Sequence, residues 1–186
     1  MKKLLAILAL SANASAADLY VNAQYQQASG AREVTANGGT LEMDIDGSGV
    51  KLQAGYKNVF VYHSKYSVGE YAEFSDGRRE TSTGVGLRVN VSDQGRLSPY
   101  IEASVGRSSA QFSSDDVREF RLDADSISGL HLSATLGANY TVVDNLSLIG
   151  GLSYSVKTWE TFYIYNQEVD TSDRHLGAFV GVELAL

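Results

Sequence analysis

The chain of 186 residues carries 22 acidic against 15 basic side chains, a single proline and no cysteine. That acidity argues against a nucleic-acid partner, which needs clustered Lys and Arg, and the missing thiols exclude disulfide scaffolds and thiolate metal centres. With only Pro99 and no low-complexity linker to divide it, one domain is expected to use the chain.

Lys2 and Lys3 precede the apolar run Leu4 to Leu10, and Ala14-Ser15-Ala16 offers the small residues of a signal-peptidase site. Residues 1–16 are therefore expected to be a signal peptide and 17–186 the mature domain. The apolar run is far short of the ~20 residues a spanning helix needs. Ala17 rather than cysteine after the cut argues against a lipidated N-terminus. Without the two leader lysines, 13 basic face 22 acidic side chains, a net charge near −9.

From Leu19 onward the chain alternates apolar and polar residues, the period of a strand with two unlike faces. Strand one places Leu19, Val21, Ala23 and Tyr25 opposite Tyr20, Asn22, Gln24 and Gln26. Strand two ends with Val50, Leu52, Ala54 and Tyr56 against Lys51, Gln53 and Gly55, before a tight turn at Lys57-Asn58. Strand three is read with Phe60, Tyr62, Tyr66 and Val68 on the apolar face, although Val59 and Val61 lie opposite. Strand four sets Val85, Leu87, Val89 and Val91 against Gly84, Gly86, Arg88 and Asn90. Strand five sets Pro99, Ile101, Ala103 and Val105 against Tyr100, Glu102, Ser104 and Gly106. Strand six has Leu130, Leu132, Ala134, Leu136, Ala138 and Tyr140 opposite His131, Ser133, Thr135, Gly137 and Asn139. Strand seven carries Leu146, Leu148, Leu152, Tyr154 and Val156, opposed by Ser147, Gly151, Ser153, Ser155 and Lys157. Strand eight alternates Leu176, Ala178, Val180, Val182, Leu184 and Leu186 with Gly177, Phe179, Gly181, Glu183 and Ala185.

Connections are short after strands two, four and six and long after the odd strands, the asymmetry of an outer-membrane barrel with short periplasmic turns. Tyr25, Tyr56, Tyr140 and Tyr154 sit at heights that suit the two membrane interfaces. The long connections are expected to stay in strand register: Val68 through Ala72 to Phe74, with a type I′ turn at Asp76-Gly77; Phe120, Leu122 and Ala124 opposite Glu119, Arg121, Asp123 and Asp125; and Val156 through Phe162 to Ile164. Hairpins would then project as a rim whose edges can pair with other chains.

Alternation alone does not say which face is outside. The polar face holds Gly55, Gly84, Gly86, Gly106, Gly137, Gly151, Gly177 and Gly181 with many serines and few charges. A water-facing surface would carry more Lys and Glu, whereas a crowded barrel interior needs small residues. The polar face therefore turns inward, the apolar face meets lipid, and the fold class is all-β: an eight-stranded antiparallel up-and-down transmembrane β-barrel with strand-extended extracellular loops.

With Gly55-Tyr56 before the first turn, Pro99-Tyr100 opening strand five and an alternating last strand, the chain resembles the OmpA/OmpX-like family of small outer-membrane barrels. The resemblance implies a Gram-negative outer-membrane location. It also implies outer-membrane lipids, lipopolysaccharide and the barrel-insertion machinery as partners. That family ends in an aromatic residue, whereas the last residues here are Glu183-Leu184-Ala185-Leu186.

The inward set includes Lys51, Arg88, Glu102, His131, Lys157 and Glu183, expected to form a structural network in which the two glutamates are countered by Arg88 and the lysines. Eight strands enclose a space that side chains fill, so general solute transport is not expected. Trp159, Phe162, Tyr163 and Tyr165 form an aromatic-rich tip, a candidate contact surface unless the rings pack against adjacent loops.

Other motifs weigh less. His131-Leu132-Ser133 loosely resembles the lipid A deacylase barrels, but both polar residues point inward and Ala134-Thr135 follows. Asp44-Ile45-Asp46-Gly47-Ser48-Gly49 begins like a calcium loop, yet its twelfth position is Gly55; a turn or bulge at Gly47 to Gly49 is expected instead. The group Asp115, Asp116, Glu119, Asp123 and Asp125 reads as a solvated face, with recruitment of divalent cations near lipopolysaccharide the lesser alternative. No catalytic residue, metal site or cofactor is expected. The sequence points to a non-enzymatic barrel that reinforces the envelope or contacts an extracellular protein or surface ligand. A narrow ion channel is the alternative, and a lipid-modifying enzyme is less favoured.

Overall fold

The computed structural model describes residues 19–70, 78–92, 95–112, 117–118 and 121–186. Among them nine strands follow one another: β1 Leu19–Ala36, β2 Gly39–Tyr56, β3 Val59–Glu70, β4 Arg78–Asn90, β5 Leu97–Gln111, β6 Ser126–Val143, β7 Leu146–Trp159, β8 Phe162–Ile164 and β9 Gln167–Ala185. The expected leader, and the tip with Ala72, Phe74 and Asp76-Gly77, lie outside the described residues.

Neighbours pair antiparallel from β1 to β7, β7 pairs β9, and β9 returns to β1 from Tyr20↔Ala185 to Ala36↔Val169. Eight long strands thus close into a barrel, and the eighth strand of the sequence reading is β9. The three residues of β8 pair with β9 from Phe162↔Val169 to Ile164↔Gln167 and form the tip of its hairpin. Closure leaves no edge in the wall, the condition for a sheet to cross lipid.

The strands run past the bilayer. On β6 the exposed apolar row extends from Tyr140 to Leu130, roughly 25 Å of height for a strand tilted about 40°. Tyr25, Tyr56, Tyr140 and Tyr154 are all exposed on this outer wall. Beyond Tyr25 the same row of β1 continues with exposed Gln27 and Ser29. The long connection between β1 and β2 is almost entirely strand, reversed by Asn37 (φ 51°) and Gly38 (φ 75°). Two left-handed residues make the hairpin turn whose twist matches the flanking strands. Tyr165 and Asn166 (φ 49° and 64°) reverse the chain between β8 and β9 in the same way.

Four expectations are corrected. In β3 the face is inverted: Phe60 and Tyr62 are 1% and 3% exposed inside the barrel, while Val59 and Val61 face outward. The neighbouring glycines decide this, because a Cβ at Gly84 would meet Tyr62 Cε1 at 2.7 Å and one at Gly86 would meet Phe60 Cε2 at 2.7 Å. Aromatic rings occupy the space those glycines leave. The second correction is at Gly47 to Gly49, where β2 continues without a turn, paired with β1 and β3. Its glycines make room for the Tyr66 ring, which a Cβ at Gly49 would meet at 2.5 Å.

The third correction concerns the segment before β6. Its last pair with β5 is Gln111↔Ser126, and Arg121 adopts φ 48°, a left-handed residue that breaks strand alternation. Leu122 instead bridges Ile164 of β8; Glu119 and Phe120 lie outside the described residues. Fourth, Glu160 and Thr161 interrupt β7 before β8, so Phe162 joins the buried side of Trp159 rather than the outer row of Val156. Packing among Trp159, Phe162, Ala110, Ile127 and Val169 decides that side and gives the projecting part a core of its own.

Candidate functional site

The barrel's polar side chains collect in two layers separated along its axis. Strand alternation delivers one inward residue from each strand at each height, so each layer joins residues distant in sequence.

In the layer nearer the short turns, Arg88 of β4 is the hub. Its Nε donates to Glu102 Oε1 at 2.8 Å and its Nη1 to Glu183 Oε2 at 2.5 Å. The guanidinium lies between the rings of Tyr20 and Tyr100, 4.4 and 4.3 Å from their centroids, at distances suited to cation–π attraction. Gln53 donates to Glu102 at 2.9 Å, and Asn22 and Asn139 donate to Glu183 at 3.1 and 2.8 Å. The Lys51 ammonium stands 3.7 Å from Glu102 Oε2.

The other layer lies beyond the apolar belt. Arg32 of β1 grips Asp173 of β9 through both oxygens, Nε to Oδ1 at 2.7 Å and Nη2 to Oδ2 at 3.0 Å. Such a bidentate fork is the strongest protein ion-pair geometry. The Trp159 indole donates to Asp173 Oδ2 at 2.8 Å. Glu80 of β4 accepts from Lys157 and lies 3.4 Å from Arg32 Nη2 and 3.7 Å from Arg78 Nε. The Arg78 guanidinium covers the Trp159 ring at 4.4 Å. Burial raises the Asp173 carboxyl, but hydrogen bonding and charge from Arg32, the Trp159 indole and then Arg78 outweigh it and hold it below the usual carboxylate range.

The structure thus brings Lys51, Arg88, Glu102 and Glu183 together. Lys157 stands apart with Glu80, and His131 accepts or donates a 3.0 Å bond with Tyr62 between the layers. Ser133 bonds Ser104 at 2.6 Å, so the histidine and serine of the deacylase-like triplet have different partners. At the tip, Trp159 and Phe162 are 4% and 7% exposed, because they pack inside the projecting core; this corrects their place in the contact surface. Tyr163 and Tyr165 remain outside, 42% and 54% exposed.

Sequence reading missed Arg32, Arg78, Glu80 and Asp173. A signal was present: Arg32 shares the parity of Tyr20 and Gln24, Glu80 that of Arg88, and Asp173 that of Glu183. The expected strands stopped short of these positions.

A closed antiparallel wall, apolar outside and filled with charge, defines a transmembrane β-barrel of the kind found in Gram-negative outer membranes. No family model and no curated sequence matches the chain. Among solved structures it is similar to Neisserial surface protein A, with a TM-score of 0.50 and 16% identity over 91% of this chain and 97% of that one. It is also similar to the outer-membrane protein AlkL in lipid bilayers, with a TM-score of 0.55 and 15% identity over 95% of this chain and 93% of that one. At such identities the likeness is one of fold, that of the small outer-membrane barrels.

Proposed function

We propose that this chain is a non-enzymatic outer-membrane barrel that reinforces the envelope and presents a rigid, strand-built platform to an extracellular protein or surface ligand. The observation that carries this reading is the projecting rim itself. β1 and β9 stay paired to Ala36↔Val169, well past the belt, and the hairpins share a hydrophobic core around Trp159. Ordering such a rim in advance reduces the entropy lost on contact with a partner. Tyr163 and Tyr165 give it exposed aromatic surface, the residue type enriched where proteins meet.

The interior supports the non-transporting part of the proposal. Two buried ion-pair layers cross the lumen, and eight strands leave no aqueous channel of porin width. The competing reading, a narrow ion path, draws on a cavity between the layers lined by Lys51, Lys157, His131 and His175 and would require both layers to open.

Two measurements decide. Cells displaying the full chain are compared with cells in which Glu33–Glu42 is replaced by Asn-Gly, for attachment to matrix and host-cell surfaces. Loss of attachment with unchanged heat-modifiable gel mobility is the expected result, and equal attachment overturns the platform. In planar bilayers the full chain is expected to give no steady conductance; discrete, reproducible steps favour the channel.

A further inference from the structure

The apolar wall is not equally tall on all sides of the barrel. On β6 every outward position from Val142 through Tyr140 to Leu130 is apolar, about 30 Å of height for a strand tilted about 40°. On β3 the outward row is apolar only at Val59 and Val61; His63 and Lys65 follow, about 10 and 15 Å above Val59 by the same geometry. A tilt of the whole barrel moves both ends of a row together and does not lengthen the one on β3. A bilayer of full height would therefore press Lys65 into hydrocarbon, where a charged side chain on the lipid face is destabilising. Headgroups drawn down this side remove the conflict, because a bilayer thins beside a short apolar span at modest cost.

The polar wall that takes over is of one charge. Its rungs cross three strands: His63, Thr83 and Arg107, then Lys65, Thr81 and Ser109, then Ser67, Arg79 and Gln111, each set paired in register across β3, β4 and β5. Lys65, Arg79 and Arg107 are all exposed, and no carboxylate stands on these rungs. Lys65 and Arg79 form no ion pair among the described residues. Arg107 meets Glu160 at 3.3 Å, but both side chains are largely in solvent, where such a pair contributes little and exchanges readily. Three cations thus share a patch that adjoins the lipid belt, with hydroxyl groups between them. The neighbouring wall is the reverse: above Val50 the outward row of β2 runs through exposed Asp46, Asp44 and Glu42.

We propose that the outer wall of β3, β4 and β5 above Val61 docks the phosphorylated headgroup of an outer-leaflet lipid, held by Lys65, Arg79 and Arg107. Two independent features select that occupant. The early end of the apolar row on β3 brings headgroups rather than acyl chains against this wall, and the charge there complements phosphate, whose oxygens accept from guanidinium, ammonium and hydroxyl donors. The acidic row of β2 confines the site to one side of the barrel. The site lies on the lipid-facing wall and is independent of any partner met by the rim.

Lipid A carrying both of its phosphates is the probe, with its dephosphorylated form as the control. Native mass spectrometry of the full chain, refolded in detergent micelles with EDTA present, counts the lipid retained at increasing lipid concentration. The wild-type protein is expected to retain the phosphorylated lipid saturably and the dephosphorylated form weakly. A cation beside an anionic lipid surface is worth about a fivefold change in affinity, so the triple variant Lys65→Gln, Arg79→Gln, Arg107→Gln is expected to bind about a hundredfold more weakly. Arg174→Gln, which removes an exposed cation of β9, is expected to leave binding unchanged. Equal retention by wild type and triple variant overturns the site, and so does equal retention of the two lipids, which would mean that acyl chains alone are held. Loss of wild-type binding in EDTA also overturns it, because the phosphate would then be bridged by a divalent cation to the acidic row of β2. Should the triple variant lack folded gel mobility, Lys65→Gln and Arg79→Gln are read singly, each expected to weaken binding about fivefold; no change in either overturns the site.

Discussion

Replacing Arg88 by methionine tests the inner layer at its hub. The side chain serves two carboxylates, at 2.8 and 2.5 Å, and stands between two tyrosine rings. Removing one partner of a buried ion pair costs about 3–5 kcal/mol, chiefly because the other charge is left buried and uncompensated. Loss of the cation from the faces of Tyr20 and Tyr100 adds about 1–2 kcal/mol. Arg88→Met is therefore expected to lower the unfolding free energy by about 4–7 kcal/mol. Equilibrium urea unfolding in detergent reads this directly, with the single tryptophan, Trp159, as reporter from the opposite layer. The argument makes a second, sharper demand. If orphaned charge is the cause, the triple variant Arg88→Met, Glu102→Gln, Glu183→Gln must be more stable than Arg88→Met alone, because it neutralises both stranded carboxylates. An Arg88→Met loss below about 1 kcal/mol, or a triple variant weaker than the single, refutes the reasoning.

Two other perturbations follow from the same interior. A Cβ at Gly137 would lie 2.5 Å from Tyr100 Cζ, so Gly137→Ala is expected to cost about 1–3 kcal/mol by overpacking and to reduce the fraction with folded mobility on a cold detergent gel; Tyr100→Leu in the same chain should restore part of it. Asp173 titrates below its ordinary range, so its contribution is fully present above the unfolded value of about 4 and is lost as pH falls through the lower folded value. Stability followed by Trp159 fluorescence should therefore decline below about pH 4, and Asp173→Asn should be less stable at neutral pH with a shallower acid decline. An unchanged acid slope would show that this carboxylate is not linked to folding.

Much of this architecture is legible in the sequence because lipid leaves a wall only one solution, apolar outside and polar within, and that solution has period two. The failures come where both parities are apolar or where pairing stops. In β3, Val59 and Val61 compete with Phe60 and Tyr62, and hydrophobicity cannot rank them. The deciding information sits on other strands, in Gly84 and Gly86, whose missing side chains receive the rings. In the outer layer, Arg32, Glu80 and Asp173 obey the alternation of their strands, but they stand where polar residues also appear on the outer row. Beyond the belt the outward row no longer contrasts with the inward one. At Trp159 and Phe162 the parity itself breaks across Glu160-Thr161, and only packing against Ile127 and Val169 selects the buried side.

The charged interior follows from where the barrel sits. A soluble β-protein gains stability by hiding its apolar face from water; here that face is already surrounded by hydrocarbon and gains little from the wall's closing. Cohesion must come from the closed hydrogen-bond ladder and from the lumen. The layer around Arg88 accordingly ties six strands: Arg88 of β4 to Glu102 of β5 and Glu183 of β9, with Asn22 of β1, Gln53 of β2 and Asn139 of β6 donating further bonds to the two carboxylates. Asn22 and Glu183 are 161 residues apart in sequence, so this bond forms only when the first and last long strands meet in register. A one-residue slip of any strand exchanges its faces. For β4 that slip would turn Arg88, two residues from the end of its strand, toward the lipid interface at a cost of up to about 1 kcal/mol, and would strand both glutamates. The network is thus a register lock as much as a source of stability, because its contacts to Glu183 form only when the closing strand β9 meets β1 in register.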